Sequence, residues 1–183
     1  EVRQAIQEIA RQILSETEDA GRLLILGIRT KGSYLAKRIA RELEKSQRKV
    51  EVGEVEIYGP GEDIRRLSPA DGDLPPLNVK DRAVILVDDV IHTGRTVKSA
   101  LSIIFKSGRP QSVRLAVLID RGHREVPVKP NYVGKHLPSS DKERVRVKLR
   151  EVEQDERDKV VIYSIISSET AVSNQPSALD GDG

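Results

Sequence analysis

Two adjacent carboxylates, Asp88 and Asp89, stand between a run of four apolar residues and a Thr/Gly turn. The full run, Val84-Ile-Leu-Val-Asp-Asp-Val-Ile-His-Thr-Gly-Arg-Thr96, concentrates more chemistry than any other stretch. Val84 to Val87 reads as a buried strand with the acid pair at its end. Thr93-Gly94-Arg95-Thr96 then reads as a tight turn into a helix whose apolar positions are Val97, Ala100, Leu101, Ile104 and Phe105. This arrangement suits a phosphorylated sugar. Backbone N–H groups and the helix dipole hold a phosphate, glycine permits close approach, and threonine hydroxyls donate further hydrogen bonds. Paired carboxylates accept hydrogen bonds from vicinal ribose hydroxyls. The plainer alternative is a strand ending in solvated acids before an ordinary capped helix. The apolar run, the acid pair and the strand-to-helix context together favour the site.

The elements that must position these groups alternate between strands and helices. Val2, Ala5, Ile6, Ile9, Ala10, Ile13 and Leu14 repeat at helical spacing. Leu23 to Ile28 is a continuous apolar run ending at Arg29-Thr30-Lys31-Gly32, and a second helix is expected from about Ser33 to Lys45. Val50 to Tyr58 alternates as a strand. The stretch 59–78, with three glycines and four prolines, is expected to be a flexible lid loop. Further strands are expected at Val113 to Ile119, around Tyr132-Val133, at Val145 to Leu149 and at Val160 to Ile165. The expected organisation is one domain over 1–166 and a disordered tail over 167–183, which is rich in Ser, Asn, Pro, Gly and Asp. The alternation implies an α/β fold: a central, mostly parallel sheet flanked by helices, with its ligand site at the carboxyl ends of the strands.

Bulk properties exclude several functions. Thirty-one basic residues against 29 acidic ones leave a formal charge of +2, so overall charge does not announce a nucleic-acid binder. The absence of cysteine rules out disulfides, zinc-thiolate sites and thiol nucleophiles. None of the three histidines has metal-ligand spacing with another, and no apolar run reaches the length of a membrane span. The expectation is a soluble, cytoplasmic protein without a membrane partner, whose native start lies upstream of Glu1.

The thirteen residues 84–96 resemble the phosphoribosyl-pyrophosphate (PRPP) signature of the type I phosphoribosyltransferases. A second block is more specific. Residues 118–140, which open Leu-Ile-Asp-Arg-Gly-His-Arg-Glu, resemble the region that distinguishes the PyrR family of bifunctional pyrimidine-operon attenuation regulators and uracil phosphoribosyltransferases. Gly27-Ile-Arg-Thr-Lys-Gly-Ser-Tyr-Leu-Ala-Lys-Arg38 is similar to that family nearly position for position. The resemblance runs from the first helix to about Tyr163, outside the long loop and the tail. It implies a type I phosphoribosyltransferase fold with a small hood region, and the reaction uracil + PRPP → UMP + pyrophosphate with Mg²⁺. It implies catalytic roles for Asp88 and Asp89, and 5′-phosphate binding by Thr93, Gly94, Arg95 and Thr96. Pyrophosphate would meet Arg29, Thr30, Lys31 and Gly32, and uracil the backbone of Ile119, Asp120, Arg121 and Gly122. Mg²⁺, which prefers oxygen ligands and keeps several waters, would ride on PRPP without direct side-chain ligation.

The resemblance further implies UMP-controlled binding of a leader messenger RNA hairpin, and a homodimer or higher homo-oligomer. Arg11, His123, Arg124 and Lys135 are the RNA-binding candidates. Between Arg121 and Arg150 nine Lys or Arg face three acids, and Arg144, Arg146 and Lys148 alternate with apolar residues. Such a stripe lines RNA phosphates or is simply the solvated face of an edge strand. Aromatics are 3% of the chain, so hairpin shape and phosphate contact would have to serve in place of base stacking. Three departures from the family pattern stand out: Gln7-Glu8, where RNA-binding relatives tend to carry Thr-Arg; the run Ile57 to Asp63; and His92 in place of a phenol. Two alternatives therefore stay open, a catalytically weak nucleotide-sensing RNA-binding regulator and a purine phosphoribosyltransferase.

Overall fold

Six consecutive apolar or glycine residues, Leu23–Ile28, form β1, and every one of them is buried. That burial requires cover on both faces, which is how interior strands of parallel sheets are built. The computed structural model describes residues 1–17, 22–48, 50–57, 66–70, 77–154 and 156–165. The expected tail at 167–183 lies outside these residues, as does most of the expected lid.

A six-stranded sheet has the order β3-β2-β1-β4-β5-β6, formed by β2 (Glu51–Glu56), β3 (Arg66–Pro69), β4 (Ala83–Ile91), β5 (Ser112–Asp120) and β6 (Tyr132–His136) with β1. All its pairings are parallel except that of edge strand β3 with β2. Successive residues feed opposite faces, as the two-residue period requires. Leu23, Ile25, Ile85, Val87, Ala116 and Leu118 join one core with helices α1 (Val2–Glu16) and α2 (Lys31–Glu44). Leu24, Leu26, Ile28, Val84, Leu86, Leu115 and Val117 join a second core with α3 (Arg95–Ser107). The α/β architecture is thus the expected one, a mostly parallel sheet between helical layers.

Near the carboxyl end of the described chain, β7 (Glu143–Lys148) and β8 (Lys159–Ser164) form an antiparallel pair, with the short α4 (Arg150–Glu153) between them. Val145, Val147 and Leu149 pack into the core of α1 and α2. Arg38 on α2 fastens the unit from outside, donating to Glu151 at 3.0 Å and to Asp158 at 2.6 and 3.0 Å.

Three expectations need correction. The stretch 59–78 is not all loop, because residues 66–69 pair with β2 as β3. Pro69 closes that strand at a sheet edge, where a missing N–H is tolerated. The acid pair does not end its strand, since β4 runs on to Ile91 and pairs with β5 beyond it, Val90 opposite Ile119 and Ile91 opposite Asp120. Phe105 is not on the buried stripe of α3: it is 59% exposed, while Val97, Ala100, Ile103 and Ile104 are buried.

Candidate active site

Because β1, β4 and β5 are parallel, the segments after Ile28, Ile91 and Asp120 emerge along one edge of the sheet. Residues 29–32, 93–96 and 121–122 lie on those three segments, Asp88 and Asp89 within β4, and Ile119 and Asp120 at the end of β5. Contact between the first two is close. A Cβ on Gly32, at the start of α2, would stand 2.5 Å from the Val87 carbonyl oxygen, and one on Gly27 would stand 2.4 Å from the Gly32 oxygen. Only glycine lets the 29–32 loop lie this near the residue preceding the acid pair.

Asp88 is buried, and its Oδ1 accepts the Asp89 N–H at 2.9 Å. Burial pushes the Asp88 carboxyl well above the usual carboxylate range, and the Asp89 charge pushes it further. Burial raises Asp89 as well, opposed by its bond with Asp88 and by the Lys31 ammonium. Two carboxylates shielded from water retain a proton more readily than exposed ones, and gain most from partners that neutralise or solvate them.

Beyond β4, Gly94 caps α3 in the left-handed conformation, φ 85°, and Thr93 Oγ1 accepts the Arg95 N–H at 3.4 Å. Thr96 and Arg95 are exposed, and Thr93 is half-buried. The loop after β5 folds over this turn. Glu125 and Val126 donate backbone N–H groups to the Thr93 carbonyl, at 2.9 and 3.3 Å, and Arg95 pairs with Glu125 at 2.5 Å. A Cβ on Gly94 would meet Val128 and Val126 at 2.5 and 2.8 Å.

The 29–32 loop starts where Arg29 donates its N–H to the Val55 carbonyl at 3.1 Å. The Arg29 side chain pairs with Glu56, and the Arg29–Thr30 peptide is cis. Lys31 donates to the Val147 carbonyl at 2.6 Å and lies 3.2 Å from Glu153. Glu56, Val147 and Glu153 are site neighbours that sequence reasoning missed, and contacts across 116 residues leave no local signal.

Of the uracil candidates, Asp120 is half-buried and Gly122 is exposed. Ile119 and Arg121 are buried. The Arg121 N–H donates to Ile91 O at 3.0 Å and the Gly122 N–H to Asp120 Oδ1 at 2.9 Å. The Asp120 carbonyl accepts the Leu137 N–H at 2.8 Å. Arg121 was expected within an exposed basic stripe; instead its guanidinium is buried and donates to Ser139 Oγ, Ser140 O and Glu143 O.

Comparison with known proteins decides the family. Residues 1–151 match the phosphoribosyl transferase domain. The chain is 40% identical over 168 residues to the bifunctional protein PyrR of Bacillus subtilis, covering 88% of this chain and 92% of that one. It is 41% identical over 166 residues to the bifunctional protein PyrR of Streptomyces coelicolor, covering 88% and 85%. The chain belongs to the PyrR family of phosphoribosyltransferases. Among solved structures, the hypoxanthine phosphoribosyltransferase of Trypanosoma cruzi superposes with a TM-score of 0.66 at 19% identity, over 89% of this chain and 91% of that one, a likeness of fold alone.

For a PyrR-family chain the RNA candidates bear directly on function. His123 and Lys135 are exposed, with Lys135 3.8 Å from Glu1. Arg11 is exposed but clasped by Glu8 on the same helix, at 3.0 and 2.6 Å. Arg124 is turned inward. Its guanidinium donates to His92 O, Gly122 O, Val128 O and Asp120 Oδ1, tying the loop after β4 to the loop after β5. These bonds leave it little capacity for an RNA phosphate. Burial lowers the His92 imidazole, and the Arg121 and His123 charges lower it further.

Among the described residues, no group of three or more His, Cys, Asp or Glu side chains is arranged to hold a metal ion, and no helix is long and apolar enough to cross a membrane.

Proposed function

We propose that this PyrR-family protein is a uracil phosphoribosyltransferase, converting uracil and PRPP to UMP and pyrophosphate, and a UMP-responsive regulator that binds leader messenger RNA. One observation carries the enzymatic reading: an acid pair, Asp88 buried and Asp89 half-buried, lies on β4 between a glycine-tight loop after β1 and a glycine-started helix. The relatives' name, bifunctional protein PyrR, supports the pairing of two roles.

In the reaction the C1–O bond to pyrophosphate breaks, the electron pair leaves with pyrophosphate, and a uracil nitrogen bonds C1 as its proton departs. Most of the work is positioning and charge stabilisation. The Thr93–Thr96 turn and the first-turn amides of α3 hold the 5′-phosphate. Asp88 and Asp89 accept the ribose hydroxyls, which add to the backbone N–H groups these carboxylates already accept. Arg29, Thr30, Lys31 and the Gly32 backbone receive the pyrophosphate. The peptide groups of residues 119–122 read uracil, at the cost of rearranging bonds now made within the chain. The site fits Mg²⁺, since its acidic groups offer only oxygen donors; bound with PRPP, the ion would neutralise pyrophosphate charge.

For the RNA role, His123 and Lys135 are the exposed contacts, with Arg11 available once freed from Glu8. A cytoplasmic homo-oligomer completes the proposal by kinship. Incubation of the protein with PRPP, Mg²⁺ and labelled uracil, hypoxanthine or orotate tests it. UMP formed from uracil alone supports the reading, and turnover confined to hypoxanthine overturns it.

A further inference from the structure

Lys31 belongs to the loop assigned to pyrophosphate, yet its ammonium is already occupied. It donates to the Val147 carbonyl at 2.6 Å and stands 3.2 Å from Glu153 Oε1. Both side chains are partly shielded, with 23% of Lys31 and 35% of Glu153 exposed. Val147 is fully buried on β7, and Glu153 ends α4, so the contact joins the site loop to the β7–β8 unit. The Lys31 ammonium also lowers the Asp89 carboxyl electrostatically.

An incoming pyrophosphate carries more negative charge than one carboxylate and competes for the same ammonium. The rest of α4 does not depend on that ammonium. Glu151 and Asp158 are gripped by Arg38 from α2, and Val152 and Glu153 donate backbone N–H groups to Leu149. Release of Lys31 would therefore free one carboxylate and the Val147 carbonyl, while Arg38 and the α4 backbone bonds keep the β7–β8 unit in place.

We propose that Glu153 is a positioning residue that competes with pyrophosphate for Lys31, latching the empty site and weakening its hold on PRPP and on the pyrophosphate product. The inference rests on the phosphoribosyltransferase reading above. It assigns to α4 a part in setting substrate affinity without touching substrate.

The test is calorimetric titration of wild type, Glu153→Gln and Glu153→Asp with magnesium pyrophosphate, PRPP and UMP. The amide removes the charge, and aspartate, one methylene shorter, cannot keep the contact. Both variants should bind pyrophosphate and PRPP about threefold more tightly, the scale of a partly exposed ion pair. UMP has no pyrophosphate, so its affinity should not change, and the pyrophosphate gain should shrink in high salt. Unchanged or weaker pyrophosphate binding, or a parallel shift for UMP, would overturn the inference while leaving the enzymatic reading intact. A wild-type protein that bound neither PRPP nor UMP would overturn both.

Discussion

Replacing Gly32 by alanine should damage the enzyme far more than it damages the fold. The new methyl would lie 2.5 Å from the Val87 carbonyl oxygen, and that neighbour is backbone in an interior strand. Ordinary carbon–oxygen contacts begin near about 3.3 Å, so the first turn of α2 must retreat by roughly 0.8 Å. Overpacking of this kind costs about 1–3 kcal/mol, offset by about 1 kcal/mol because alanine is the better helix former. The net cost of roughly 0–2 kcal/mol lowers Tm by at most about 8 °C for a chain of this size. Thr30 and Lys31 retreat with the turn, away from Asp88 and Asp89, and misplacement of about 1 Å costs on the order of a hundredfold in rate. The assay is UMP formation from uracil and PRPP, run beside a thermal melt followed by circular dichroism. A variant with wild-type Tm and a rate within about twofold of wild type would refute the claim that this contact sets the site.

Asp88→Asn should stabilise the ligand-free protein and cripple it. The folded carboxyl is raised above its unfolded value by burial and by Asp89, so the native state binds more protons in that range. Stability is therefore lost as pH rises from the ordinary carboxylate range through the raised folded value, and the loss is complete above it. Melts at pH 4 and pH 8 should show the asparagine variant gaining most at pH 8, while UMP formation falls on the order of a hundredfold; a larger gain at pH 4 would contradict the sign. Arg38→Met leaves Glu151 and Asp158 facing each other without their cation. With side chains 15%, 30% and 21% exposed, the loss should be about 1–3 kcal/mol, below that of a fully buried pair, read as the shift of a urea midpoint.

The layers of the fold were legible because β1, β4 and β5 are buried on both faces and so spell continuous apolar runs. The same cue misplaced the acid pair. Two carboxylates look like the end of a strand, yet Val90 and Ile91 are β-branched residues that continue the pairing with β5. Helical spacing admitted Phe105 because a stripe of apolar letters can be wider than the surface that covers it; only the sheet decides that Ile103 turns inward instead. β3 was hidden by its charge and its proline, both natural on an edge. The candidate phosphate, ribose and uracil residues fell on or just beyond the carboxyl-terminal halves of β1, β4 and β5, but the fate of their side chains was not legible. Arg124 read as an RNA contact beside His123 and Arg121 as part of the uracil loop, whereas carbonyls and carboxylates of other segments draw both guanidinium groups inward. Those acceptors exist only once the β5 loop is folded against β4 and the segment before β7.

The most direct test of the central claim is competition at one site. Titration of the purified protein with PRPP in saturating Mg²⁺ should give a single binding isotherm per chain, and saturating UMP should abolish it. Asp89→Asn should weaken both ligands together. Independent, additive heats for PRPP and UMP, or no heat for either, would contradict a pocket built from the acid pair of β4 and the glycine turn of α3.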